Sequence, residues 1–164
     1  MDSEKRLEEA LNIVNRYSLG AAGVGLVPIP LVDMVSATAL QIKMISEVGK
    51  LYGVTFERQH QLRNVVLALL GGAGAPTLIL SLLGSGLKAL PIVGTTVSVA
   101  AVPAIFGALT YAVGRAFVQH FEAGGGADHL NVSKLKTSVK GYYQQAKDRF
   151  KKDKKAESPA ATQA

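Results

Sequence analysis

The sequence predicts an all-α protein, a helical bundle built around an apolar Gly/Ala-rich helical hairpin. Three observations carry that prediction. Apolar residues recur at three- and four-residue spacings over several segments, two long stretches carry no charge, and small residues recur at every fourth position within the second stretch. At 164 residues the chain suits one buried core better than two. Hydrophobic residues make up 48% and charged residues 18%, with a mean hydropathy of +0.23. The chain is therefore more apolar than an ordinary soluble domain, and its excess apolar surface needs lipid or protein against it.

The first helix is expected from Asp2 to about Tyr17, with Leu7, Leu11, Val14 and Tyr17 on one face. Gly20, Gly23 and Gly25 are expected to interrupt it, and Pro28 and Pro30 to set an extended turn before Asp33. A half-buried helix follows from Leu31 to about Leu51, closed by a left-handed cap at Gly53. Thr55 is positioned to cap a third helix, with Glu57 in its first turn.

That third helix starts polar and turns apolar. Residues 65–87 form an uncharged run, residues 89–114 a second, and only Lys88 separates them. Each is as long as the roughly 20 residues that cross a hydrocarbon core. Gly71, Gly72, Gly74 and Pro76 disturb the first run and Pro103 the second. Two spans, a re-entrant hairpin and a tightly packed soluble pair therefore all fit. Ala100, Ala104, Ala108, Ala112 and Ala116, with Gly107 and Gly114 beside them, form a stripe that lets two helix backbones approach closely.

After Glu122, Ala123-Gly124-Gly125-Gly126-Ala127 reads as a hinge or linker. Beyond it Leu135, Val139, Tyr142, Ala146 and Phe150 define the apolar face of a basic amphipathic helix flanked by Lys136, Lys140, Lys147 and Lys151. The divisions are a helical membrane-associated domain over 1–125, the basic helix over 126–153 and a disordered tail over 154–164. A chain cut at Gly125 is expected to fold and to show weaker, salt-dependent membrane attachment.

The net charge of +6 belongs to that helix and tail. Lys134 to Lys155 hold nine basic residues against Asp148 and Asp153, whereas residues 1–133 hold nine of each sign. The four flanking lysines are candidate contacts for anionic lipid, each contributing roughly 1 kcal/mol near a charged surface. A solvated helix docked on the domain is the alternative. Nucleic acid is disfavoured, because Tyr142, Tyr143 and Phe150 fall on the helix's apolar face rather than on a stacking platform.

Catalytic signatures are missing. The absence of cysteine excludes disulfides, thiolate nucleophiles, cysteine zinc sites and iron–sulfur clusters. There is no GxxxxGK[ST], GxSxG or HExxH, and His60, His120 and His129 lack metal-ligand spacing. No enzyme activity, cofactor or metal is expected. Asp33, beside two prolines and an apolar run, is the candidate functional acid, with helix capping as its plainer role. Arg115, His120 and Glu122 read as interfacial anchors. The N-terminal MDSEKRLEEALNIVNRY lacks the apolar core of a cleaved signal peptide. Arg58, Arg63, Arg115 and the lysine-rich end place both flanks of the hairpin in the cytosol. The expected location is the cytoplasmic face of a bacterial inner membrane, peripheral or hairpin-inserted.

Three stretches in this order resemble the YcjF-like bacterial family: Val27-Pro28-Ile29-Pro30-Leu31-Val32-Asp33, Leu40-Gln41-Ile42-Lys43-Met44 through Leu51-Tyr52-Gly53-Val54, and Leu109-Thr110-Tyr111-Ala112-Val113-Gly114-Arg115 through His120-Phe121-Glu122. The resemblance spans about residues 15–125. It implies an uncharacterised, membrane-associated helical domain, often linked to a P-loop GTPase, which for this chain acts in trans. No catalytic residues carry over. The functional expectation is a membrane-associated helical adaptor or scaffold; the alternative is a soluble homo-oligomeric helical interaction domain.

Overall fold

The computed structural model describes residues 2–24, 32–57, 59–71 and 96–156, with side chains over 2–23, 38–57, 60–69 and 105–146. Among them are five α-helices and no strand, as the all-α prediction requires. They are α1 (Ser3–Val24), α2 (Val32–Leu51), α3 (Gln59–Gly71), α4 (Thr96–Glu122) and α5 (Val132–Ala156), with a 3-10 turn at Ala127–His129 before α5.

Helix α1 runs past the point where the glycines were expected to stop it. A glycine inside a helix costs about 1 kcal/mol relative to alanine, and tertiary packing offsets that cost. Ser18 and Ala22 lie against Gly107 of α4, where an added Cβ would meet the Ser18 carbonyl oxygen and the Ala22 Cβ at 3.2 Å. One level lower, a Cβ on Gly114 would meet both Val14 methyls at 2.7 Å and Met44 Sδ at 3.1 Å. The order of these contacts makes α1 antiparallel to α4. Ser18 Oγ donates back to the Val14 carbonyl at 2.7 Å, so no polar group is stranded in the seam.

Helix α2 runs parallel to α4, with Gln41 beside Thr110 and Gly49 beside Phe121. Its end is a Schellman cap: Gly53 takes φ +69°, its N–H donates to Lys50 O at 3.2 Å, and Val54 N–H donates to Gly49 O at 2.8 Å. Thr55 and Glu57 lie in the connection rather than at the start of α3. Phe56 holds that connection against Phe121, the ring centroids 6.3 Å apart. The short reversal sets α3 antiparallel to α2, and Leu62, Val66 and Leu69 of α3 enter the core.

The expected hinge at 123–127 is an ordered turn. Gly124 takes φ +77° and donates to Phe121 O at 2.9 Å, while Gly125 N–H donates to His120 O at 2.9 Å, a second Schellman cap. The His120 ring occupies the place a Cβ on Gly125 would need, and its Nε2 lies 3.1 Å from Gly126 O. Asn131 then caps α5, its Oδ1 accepting from Lys134 N–H at 3.0 Å.

Leu135, Val139, Tyr143 and Ala146 of α5 are buried in the same core as Val14, Met44, Val48, Leu62 and Phe117. Each large apolar side chain there contributes about 1.5–3 kcal/mol of burial. A cut at Gly125 therefore removes a wall of the core, and the expectation that it leaves the fold intact is withdrawn. Helix α5 also extends to Ala156, through residues assigned in sequence to a disordered tail. Helix α4 continues through Pro103. Residues 25–31, 72–95 and 157–164, which include Pro28, Pro30, Gly72, Gly74 and Pro76, lie outside the described residues.

The close contact of α1 with α4 generates a prediction of opposite signs. Gly114→Ala is expected to destabilise by about 1–3 kcal/mol, because its methyl meets β-branched Val14 with no space to yield. Gly20→Ala, where a Cβ meets nothing within 4 Å, should stabilise by about 0.5–1 kcal/mol. Thermal unfolding followed by circular dichroism checks both; equal melting temperatures for the two variants would refute a tight seam at Gly114.

Candidate functional site

Two features of the fold bear on function, a cationic helix face and a small-residue seam. The cationic face follows from how α5 is held. With Leu135, Val139, Tyr143 and Ala146 turned inward, Lys134, Lys136 and Lys140 are exposed. None of the three forms an ion pair among the described residues. At 3.6 residues per turn Lys136, Lys140, Lys147 and Lys151 fall within about 60° of arc, although the side chains of Lys147 and Lys151 lie outside the described residues. The apolar face of α5 is occupied by the core, so what this helix offers to a partner is charge.

Arg115 of α4 ties the two helices together. Its guanidinium stands 5.1 Å from the centroid of the Tyr142 ring, and its Nε is buried without a hydrogen-bond partner. This explains why Tyr142 is only partly buried and Tyr143 is the aromatic residue in the core. His120 is taken up by the α4–α5 turn and Glu122 lies 3.9 Å from Arg6. The residues read as interfacial anchors thus hold helix ends together.

In the seam, Gly107 and Gly114 face α1, and Ala108, Ala112 and Ala116 are buried. Ala104 lies on α4 with its side chain outside the described residues, and Gly71 is the last residue of α3. Asp33 is the second residue of α2, with its side chain likewise outside them. The structure brings Gly107 and Gly114 to α1 and sets the lysines on another helix, so the predicted residues do not converge on one pocket.

Sequence reasoning missed the buried polar contacts. Gln41, a polar residue between apolar ones, is 3% exposed and donates through Nε2 to Thr110 Oγ1 at 2.9 Å. Its Oε1 has no partner. The spacing of Gln41 three residues before Met44, on the buried face, was the available signal. Tyr17 donates to Glu47 Oε1 at 2.8 Å, and Arg16 reaches the other carboxylate oxygen at 3.6 Å. At the opposite end Arg6 covers the Tyr52 ring at 4.9 Å beside Glu122. Among the described residues no group of three His, Asp or Glu could hold a metal ion, and no helix is long and apolar enough to cross a membrane.

Comparison with known proteins places this architecture among uncharacterised chains. A family model described as "Domain of unknown function (DUF697)" matches residues 2–148. "Magnetosome membrane protein 22" of Magnetospirillum gryphiswaldense (strain DSM 6361 / JCM 21280 / NBRC 15271 / MSR-1) is 32% identical over 160 residues, covering 98% of this chain and 82% of the relative. No solved structure matches the chain.

The tyrosine contacts carry a pH prediction. Burial, reinforced by the hydrogen-bonded Glu47 carboxylate, pushes Tyr17 up to about 12. Burial, reinforced by the neighbouring Glu122 carboxylate, does the same to Tyr52, whose hydroxyl lacks a well-formed hydrogen bond. An unfolded tyrosine ionises near about 10, so between the two values the folded chain keeps protons that the unfolded chain releases. Their contribution to stability is therefore full below pH 10 and is lost as the pH rises toward 12. Phenolate absorbance should show three late-titrating tyrosines, since burial raises Tyr143 as well, and Tyr17→Phe and Tyr52→Phe should each remove one of them; a variant that leaves the late phase intact would contradict the geometry.

Proposed function

From the fact that this chain belongs to the DUF697 family, and from its likeness to a magnetosome membrane protein, we propose that it is a membrane-associated helical adaptor or scaffold. The observation that carries the reading is the division of labour in α5. Its apolar face completes the core while Lys136 and Lys140 stand exposed without counter-charges among the described residues. The uncharged runs at 65–87 and 89–114 support the same reading from the sequence, since each is as long as the roughly 20 residues that cross a hydrocarbon core.

In this reading the lysines meet anionic lipid phosphates and the apolar runs engage the bilayer, peripherally or as an inserted hairpin, at the cytoplasmic face. The module has no catalytic centre and needs no cofactor. The partner implied by the YcjF-like resemblance is a P-loop GTPase acting in trans.

Vesicle flotation tests the lipid contact. Lys136→Gln with Lys140→Gln, both at exposed positions, should weaken partitioning onto phosphatidylcholine vesicles containing phosphatidylglycerol by about 2 kcal/mol, roughly thirtyfold at low salt. Raising the ionic strength should narrow that difference. Equal partitioning of wild type and variant at low salt would remove α5 from the membrane contact, and failure of the wild type to float would refute membrane association.

A further inference from the structure

Along the bundle axis the charged residues thin out past Arg16, Lys43 and Arg115, which stand within two residues of the Val14–Met44–Gly114 level. The sign of the charge does not change there. Across the axis it does, and the order of the helices shows how.

Helices α1 and α2 pack on each other and on α4, whereas α5 packs on α4 and α3, and α3 on α2. The order around the bundle is therefore α1, α4, α5, α3, α2. Both α1 and α2 stand two places from α5, so their outward sides point away from its own. A helix with its side chains is about 10 Å across, which puts the outward side of α1 roughly 20 Å or more from that of α5.

The two sides carry different balances. Helices α1 and α2 hold as many carboxylates as cations, but Arg6 and Arg16 lean on Glu122 and Glu47 at 3.9 and 3.6 Å. What stays exposed on α1 without an ion pair among the described residues is Glu4, Glu8 and Glu9 against Lys5. Helix α5 holds nine cations against two carboxylates, spread from Lys134 to Lys155. At 1.5 Å per residue that array is about 30 Å long, against a Debye length of about 10 Å at 0.1 M salt. A bundle standing on one end would bring only a fraction of the array within reach of a charged surface. A bundle lying along α5 brings all of it.

We propose, resting on the membrane reading above, that the bundle lies lengthwise on an anionic bilayer with α5 underneath. The outward side of α5 meets the headgroup phosphates, and the outward sides of α1 and α2 face the aqueous phase. The apolar face of α5 is committed to the core, so the helix stays at the phosphates instead of rolling into hydrocarbon as a free amphipathic helix does. The inverted orientation would set the α1 carboxylates against lipid phosphates, and like charges repel. A protein partner fits this surface less well: protein interfaces are held by a buried aromatic or apolar centre, and the described part of α5 exposes no large hydrophobic residue.

The absence of cysteine allows single labels without background. Thr137, on the outward side of α5 between Lys134 and Lys140, and Asn12 of α1 are both exposed. Thr137→Cys and Asn12→Cys, each carrying a bimane label, are bound to phosphatidylcholine vesicles containing phosphatidylglycerol, with and without a nitroxide on a fraction of the choline headgroups. The nitroxide is expected to quench emission at position 137 and to leave position 12 unchanged, and raising the ionic strength should restore emission at 137. If the protein floats with the vesicles but position 12 is quenched as strongly as 137, or more so, docking on α5 is wrong while membrane association stands. If it floats and neither position is quenched, another part of the chain holds it and the docking mode is again wrong. If the protein does not float, the membrane reading fails and the docking mode fails with it.

Discussion

The close approach of α1 to α4 is the constraint from which the rest of the architecture follows. Gly107 and Gly114 lie seven residues apart, two helical turns, so they fall on one face and admit Ala22, Ser18 and Val14 without intervening side chains. Met44 reaches the same point from α2. A slip of one turn would drive the Val14 methyls from a glycine onto a side chain, so the register of all three helices is set together. That register aligns Arg16, Lys43 and Arg115. The axial separation of charge is thus a consequence of packing as much as of composition.

Much of this was legible from spacing alone. The all-α class, the left-handed cap at Gly53 and the small residues of α4 follow from local rules that need no knowledge of neighbours. The extent of α1 did not follow, because its continuation through Gly20 and Gly23 depends on a partner more than eighty residues away in sequence. The turn after Glu122 failed for a related reason. Three consecutive glycines signal flexibility by composition, yet Gly124 and Gly125 are there because one backbone takes a positive φ and the other passes under the His120 ring. The burial of Gln41 was not legible, because a polar residue flanked by apolar ones gives no sign of an interior place until its partner, Thr110, is known.

The Gln41–Thr110 pair lies on the Val24 and Thr96 side of the Val14–Met44–Gly114 level. A hydrogen bond between helices away from water is retained because neither group has an alternative. Here it links α2 to α4 two residues beyond Lys43 and five beyond Arg115, where no ion pair among the described residues does so. The orphaned Gln41 Oε1 is the cost of placing an amide in that position. At the charged end, linkage is of another kind: Phe56, Phe117, His120 and Tyr52 surround Phe121 at ring separations of 5.6 to 6.3 Å. The two ends of one bundle are therefore closed by different chemistry.

Helix α5 sets an energetic limit on any entry of this bundle into hydrocarbon. A lysine or arginine at the bilayer centre costs about 2.5–3.5 kcal/mol on insertion scales, and six such residues follow Ala146. If α5 were a tethered segment it could stay behind while the bundle sank. It is not free to do so: the capped turn at Gly124 and Gly125, the Asn131 cap and the burial of Leu135, Val139, Tyr143 and Ala146 join it to α4 along half its length. The cations that follow Ala146 are therefore carried wherever α4 goes.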